Sequence, residues 1–347
     1  MANTLIIRYH RIGDALITLP LIYSLAKKYE NDTFTVISNG RFDVFFDQMP
    51  KNVHFVPMIV KSQRGIFRGL EYGWHKTLLK HKINRLLKSI DKIAFFQLDS
   101  FERMILDKAK KNGILAPRPD YSLIVSEERL KNKCTDGLTI LDLHKKVLEN
   151  IGYVNLKPQF DASKIRQRDI SQIAEMLNID LSEKILAIAP FSKEEPKIYP
   201  LDKMEEVIRY LYMEKPEMQI IILGAGPREE TVVNNWLSKY PRVVSLVDKI
   251  PFADEISLIS RCTCVLTMDS ANLHIARILS VPTVSLWGAT IPENGYVPLI
   301  DTDDTRIVKR IDCQPCSLFG SKDCSETLKC FDIDPLDIAK VVCLKMQ

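Results

Sequence analysis

Cys264-Val265-Leu266-Thr267-Met268-Asp269-Ser270-Ala271-Asn272-Leu273-His274-Ile275-Ala276 and, after a short gap, Val281-Pro282-Thr283-Val284-Ser285-Leu286 decide the fold. An apolar run (Cys264–Thr267) passes through the polar turn Asp269-Ser270 into a helical pattern (Ala271–Leu279), and a second apolar run (Thr283–Leu286) follows. Strand, helix, strand in so short a span is the repeating unit of a parallel sheet covered by helices on both faces. Upstream the same alternation gives strands Ile185–Pro190, Gln219–Leu223 and Val243–Val247, separated by helices at about 201–215, 228–239 and 254–261. The N-terminal half repeats it, with strands Leu5–Tyr9, Phe34–Ile37, Val53–Val56 and Ile93–Gln97. Helical patterns at 14–29 and 99–112 fill the gaps there; Leu19, Ile22, Ala26 and Tyr29 form one stripe, and Gly113 ends the second helix.

The expected organisation is therefore α/β: two αβα domains in series, with a ligand cleft between them at the strands' C-terminal ends. A charged segment, Lys164-Ile165-Arg166-Gln167-Arg168-Asp169, lies in the expected connection. The expected boundaries are 1–165 and 166–335, with 336–347 a terminal helix packing back across the junction. At ~150 residues per domain, 347 residues accommodate two domains. With 46% apolar and 27% charged residues, disorder and fibrous architectures are excluded. A net charge of +4 is too mild to imply a nucleic-acid partner. No apolar stretch reaches the ~18 residues of a membrane span, and the N-terminus lacks a signal layout, so a cytoplasmic location is expected. Reduced thiols or metal ligands are then the expected state of the eight cysteines.

Four segments carry chemistry. Gly13-Asp14 follows the first strand, where Gly13 permits close approach of a ligand. Asp14 there is either an ordinary helix cap or a general base. The loop Pro190–Pro200 offers Ser192, Lys193 and Lys197 to an anion, or is a solvated surface loop. Gly224-Ala225-Gly226 follows an apolar strand, and Asp248 comes about 20 residues later, like a dinucleotide fingerprint. Glu229 occupies the place of its third glycine. Asp269-Ser270 opens a helix whose leading amides attract anions, with His274 one turn inside.

Together, Gly13-Asp14 with Thr18 and Pro20, Lys197 before Tyr199-Pro200, Asp269-Ser270 with His274, and Trp287-Gly288-Ala289-Thr290 resemble glycosyltransferase family 9, the heptosyltransferase family. The resemblance spans nearly the whole chain. It implies two Rossmann-like domains in the GT-B arrangement, parallel sheets facing a central cleft, and inverting, metal-independent transfer of a sugar, heptose from ADP-heptose, onto a lipopolysaccharide-core-type acceptor. By that resemblance Asp14 and Lys197 are catalytic. Gly13, Ser192, Lys193, Glu229, Asp269, Ser270, Ala271 and His274 meet the donor. No cofactor is implied beyond the nucleotide-sugar co-substrate. Three positions depart from the family's usual pattern: Ala271 for Gly, Lys193 for a small polar residue, and Tyr199 for Trp.

Between Lys61 and Lys92, nine basic residues face two acidic ones. Arg64 and Arg68, interleaved with Ile66 and Phe67, suit an acidic glycolipid at the inner face of the cytoplasmic membrane, or form a solvated basic face. Cys313, Cys316, Cys324 and Cys330 have a spacing that a structural zinc or iron would accept, but free packed thiols are the preferred reading, and no metal is assigned. Two rival functions are a nicotinamide-dependent dehydrogenase built on Gly224-Ala225-Gly226 and Asp248, and a non-catalytic sugar-binding relative. Another nucleotide-sugar donor is a third possibility within the same fold.

Overall fold

A computed structural model describes residues 1–8, 12–58, 81–98, 100–118, 137–298, 303–321, 324 and 328–347. The chain divides into two compact units, Met1–Tyr121 with Ile140–Ile165, and Ser122–Thr139 with Arg166–Gln347. Arg64 and Arg68 lie outside the described residues.

The first unit holds a parallel sheet of β1 (Asn3–Ile7), β2 (Thr33–Asn39), β3 (Val53–Met58) and β4 (Lys92–Phe95), in the order β3-β2-β1-β4. Alternate residues serve opposite faces. Leu5, Ile7, Ile93 and Phe95 pack with Leu87 and Ile105 on one side. Ile6, Phe34 and Val36 pack on the other with Leu21 and Leu25 of helix α1 (Ile12–Lys28) and Val147 and Leu148 of a later helix. Burial of each such side chain contributes about 1.5–3 kcal/mol. Helix α2 (Ser100–Lys111) follows β4. Helix α3 (Ile140–Glu149) was not anticipated, although Ile140, Leu143, His144, Val147 and Leu148 show its buried three- and four-residue spacing.

The second unit holds β5 (Ile185–Ala189), β6 (Gln219–Ile222), β7 (Val243–Ser245), β8 (Cys264–Met268), β9 (Thr283–Trp287) and β10 (Asp304–Val308). The order is β10-β9-β8-β5-β6-β7, all parallel. β10 escaped the sequence reading because it is a half-buried edge strand with little apolar signal. The helices are α4 (Ser171–Met176), α5 (Leu201–Glu214), α6 (Pro227–Leu237), α7 (Phe252–Ile259), α8 (Ala271–Ile278) and α9 (Pro335–Lys345). The terminal helix α9 starts at Pro335 behind an Asp334 cap and packs on α5, β8 and β9 within this unit.

Each sheet reverses its strand order once. In the first, β1 has β2 on one side and β4 on the other; in the second, β5 lies between β6 and β8. Successive crossovers leave such a pair in opposite directions, which opens a crevice beyond the strands' C-terminal ends. Residues just after β1 and β4, and just after β5 and β8, are thereby set at the two places where an α/β unit takes a ligand.

His144 of α3 is a buried titratable group behind the first of these places. Its ring stacks on Phe96 at 4.4 Å, and its Nε2–H donates to the Phe96 carbonyl at 3.2 Å. Burial, and secondarily the charge of Arg8, hold its pKa well below the ordinary 6.5. The unfolded chain therefore takes up this proton before the folded one does. Stability is fully present above pH ~6.5 and is lost as pH falls below it, with a limiting slope of about 1.4 kcal/mol per pH unit. Urea unfolding at pH 7.5, 6.5 and 5.5 is expected to show this decline, and His144→Gln, which keeps a donor for the carbonyl, is expected to flatten it.

Candidate functional site

At the first crevice, the backbone of Arg8 extends β1 by donating to Ile37 O at 3.0 Å. Gly13 and Asp14 lie in the first turn of α1. Asp14 is the third helical residue, and its Oδ2 lies 2.8 Å from Arg8 Nη2. The carboxylate is thus committed to an ion pair across the turn. Arg8 is 3% exposed and Asp14 13%, so one flank of the carboxylate still reaches solvent. The sequence reading missed Arg8. Its signal is a cation directly ending the apolar run Leu5-Ile6-Ile7.

At the second crevice, the chain leaving β5 passes Ser192, half-buried, and Lys193, exposed, before a 3-10 turn, Glu195–Lys197. Pro196 is the middle residue of that turn, and its carbonyl accepts from Ala289 N at 3.3 Å. This tie delivers Lys197 to the end of β8. Lys197 Nζ lies 2.7 Å from Asp269 Oδ2, and the Thr290 hydroxyl donates to the same oxygen at 2.6 Å. Both side chains of the ion pair are largely buried, 14% and 7% exposed. Asp269 therefore orients Lys197, and Thr290 orients Asp269. Gly320 lies against the lysine stem: a Cβ there would fall 2.7 Å from Lys197 Cε, and its φ of +67° suits glycine. Gly288 is equally constrained, since a Cβ there would collide with the Phe331 ring.

Ser270 is the N-cap of α8, and its side chain makes no capping bond. Its Oγ lies 3.3 Å from Thr267 Oγ1. Ala271 opens the helix half-buried, and His274 is buried one turn in. A helix start at this point carries unpaired amides and a partial positive charge. Beside Lys197, that end of the sheet suits a polyanion.

Gly224-Ala225-Gly226 is stitched to its own surroundings. Ala225 N donates to Glu229 Oε2 and Gly226 N to Asp248 Oδ2, both at 2.7 Å. Asp248 is therefore turned onto the loop, the opposite of what a dinucleotide-binding acid requires, and β6 is not at the strand-order reversal. Burial raises the Glu229 pKa, opposed by the Ala225 N–H and aided by Asp248. Burial and Asp248 likewise push Glu255 up to about 7.

In the tail, Cys313 is exposed, Cys316 and Cys324 are half-buried and Cys330 is buried. Burial, with Cys316, Cys324 and Cys313 adding to it, pushes the Cys330 thiol up to about 11. Among the described residues, no group of three or more His, Cys, Asp or Glu is assembled as a metal ligand set. The segment also buttresses the end of β9: Gln314 Nε2 donates to Gly288 O, and Cys316 N to Ala289 O.

The structure thus brings Lys197 and Asp269 together from 72 residues apart, with Thr290 as an unanticipated third member. Glu229 stays at the glycine loop, and Gly13 and Asp14 belong to the first unit.

Comparison with known proteins adds an independent line. The family model described as glycosyltransferase family 9 (heptosyltransferase) matches residues 109–326. Lipooligosaccharide heptosyltransferase 2 of Haemophilus influenzae is 24% identical over 333 residues, 89% of each chain. Lipopolysaccharide heptosyltransferase 3 of Escherichia coli is 23% identical over 311 residues, 82% of each chain. The solved structure of E. coli ADP-heptose lps heptosyltransferase II superposes with a TM-score of 0.68 at 16% identity, covering 100% of this chain and 98% of that one. The fold is accordingly that of the GT-B heptosyltransferases. With the family model matched over more than half its length, the chain belongs to glycosyltransferase family 9, the heptosyltransferase family, and is a glycosyltransferase.

Proposed function

We propose that the protein transfers heptose from ADP-heptose to a lipopolysaccharide-core acceptor, with inversion at the anomeric carbon and without a metal. The buried Lys197–Asp269–Thr290 cluster at the strand-order reversal carries this reading. Breaking the bond between the anomeric carbon and the diphosphate leaves negative charge on the departing oxygen, and a pre-oriented cation in a partly desolvated site stabilises it. Lys197 supplies that charge, and Lys193, Ser192 and the leading amides of α8 at Ser270 and Ala271 extend the cradle. His274 supports the helix turn, and Glu229 accepts from a ribose hydroxyl. The names of the two relatives and of the E. coli enzyme of known structure support heptose, adenosine diphosphate and a lipopolysaccharide-type acceptor.

In the reaction, the acceptor oxygen attacks the anomeric carbon opposite the leaving group, its proton passes to Asp14, and the nucleoside diphosphate departs with the electron pair. Gly13 keeps the backbone low beside that carboxylate. Arg64 and Arg68 are proposed to hold the acidic core of the acceptor, at the cytoplasmic face of the membrane. No helix among the described residues is long and apolar enough to cross a membrane.

Ligand-induced thermal stabilisation with ADP-heptose and with UDP-, GDP- and CDP-sugars tests the donor. Each ligand stabilises according to its affinity, by about 2.7 kcal/mol at a hundredfold excess over Kd. ADP-heptose is expected to give the largest shift, and turnover is expected to persist in EDTA. A larger shift with another sugar nucleotide would reassign the donor within the same fold.

A further inference from the structure

Arg8 plays no part in the chemistry above, yet it is a deeply buried cation at the first crevice. Its guanidinium is 3% exposed. Taking such a charge out of water costs several kcal/mol unless its donors are matched. Here Nη1 and Nη2 are matched from both strands at the reversal of the first sheet, while buried Nε has no partner among the described residues. Nη2 binds Asp14 Oδ2 at 2.8 Å, while Nη1 donates to Gln97 Oε1 and, at 3.5 Å, to the Phe96 carbonyl. Phe96 and Gln97 directly follow β4, and the same carbonyl accepts from buried His144. The arginine backbone is held as well, because Ser38 Oγ donates to its carbonyl at 2.5 Å.

A rigid planar fork fixed at its root and at one amino group can bind a carboxylate oxygen in only one orientation. Asp14, on a two-bond side chain in the first helical turn, would otherwise sample several rotamers. We infer that Arg8, steadied by Gln97, is the positioning residue that ties down Asp14 Oδ2 and leaves Oδ1 as the oxygen that receives the acceptor proton. This rests on the reading of Asp14 as the base. A histidine kept neutral at the far side of the Phe96 carbonyl adds no competing charge to the arrangement.

The test measures kcat, the KM of donor and acceptor, and ADP affinity for Arg8→Lys, Arg8→Gln, Gln97→Ala, Asp14→Asn and the Arg8→Gln/Asp14→Asn pair, using the donor that stabilises the protein most. Arg8→Gln is expected to lower kcat about 100-fold with ADP affinity and donor KM within twofold of wild type. Arg8→Lys is expected to recover about tenfold of that loss, and Gln97→Ala, which removes no charge, to cost about fivefold in kcat. The double variant is expected to be no slower than Asp14→Asn alone, because Arg8 acts through Asp14. Wild-type turnover in Asp14→Asn would remove the base itself. An inactive Asp14→Asn alongside wild-type kcat in Arg8→Lys and Gln97→Ala would overturn the role of Arg8 alone, even if Arg8→Gln does not fold.

Discussion

Asp14→Asn should lower kcat by about 10²–10⁴-fold, the range associated with a positioned general base, while ADP binds as it does to wild type. The substitution is nearly isosteric, and the amide oxygen can still accept from Arg8 Nη2, which now holds the carboxylate at 2.8 Å. What disappears is the negative charge and the capacity to take a proton. Arg8 is almost wholly buried, so losing its counter-charge also costs stability, about 1.5–3 kcal/mol on the scale of a charge-assisted hydrogen bond. Activity must therefore be measured on material shown to be folded, with calorimetric ADP titration as the control. Because the proposed donor cradle uses the second unit's residues, that titration separates lost chemistry from lost binding. A folded Asp14→Asn enzyme with wild-type kcat would end the assignment.

Lys197→Met is expected to lower kcat/KM for the donor by about 10²–10³-fold, the cost of removing one pre-oriented donor to developing charge. Methionine is the informative replacement, since it keeps the apolar stem against which Gly320 is packed. Its loss of charge leaves Asp269, 7% exposed, with the Thr290 hydroxyl on Oδ2. A buried carboxylate stripped of its cation costs about 3–5 kcal/mol, so the melting temperature should fall together with activity. Asp269→Asn divides the two effects: it keeps the lysine but loosens it, and a smaller loss of kcat/KM is expected. Donor kinetics in Lys197→Met equal to wild type would remove this lysine from the diphosphate site.

The chain's local pattern already contains most of the fold. Runs such as Leu5-Ile6-Ile7 and Ile220-Ile221-Ile222 are apolar on both faces, which only a strand inside a covered parallel sheet needs. β10 was invisible for the converse reason, being a half-buried edge. The site was legible in parts. Asp269 and Ser270 stand out as polar residues at a strand end, Lys197 as a cation in the loop that follows a strand, and Asp14 as an acid at a helix start. Their partners were not. Arg8 reads as the end of a strand, Thr290 as a residue in a turn, and Asp248 as a ribose acid until its bond to Gly226 N is seen.

By itself, then, the sequence determined the order of most strands and helices, the parallel character of both sheets and the family, because each depends on patterns spanning a few residues or on motifs in line. The tertiary structure alone decided which strands are neighbours. Strand adjacency is chosen by packing between segments far apart in the chain, where periodicity carries no information. That choice set β8 beside β5, which brought Lys197 to Asp269, and β4 beside β1, which brought Gln97 to the arginine that pairs with Asp14 across one turn.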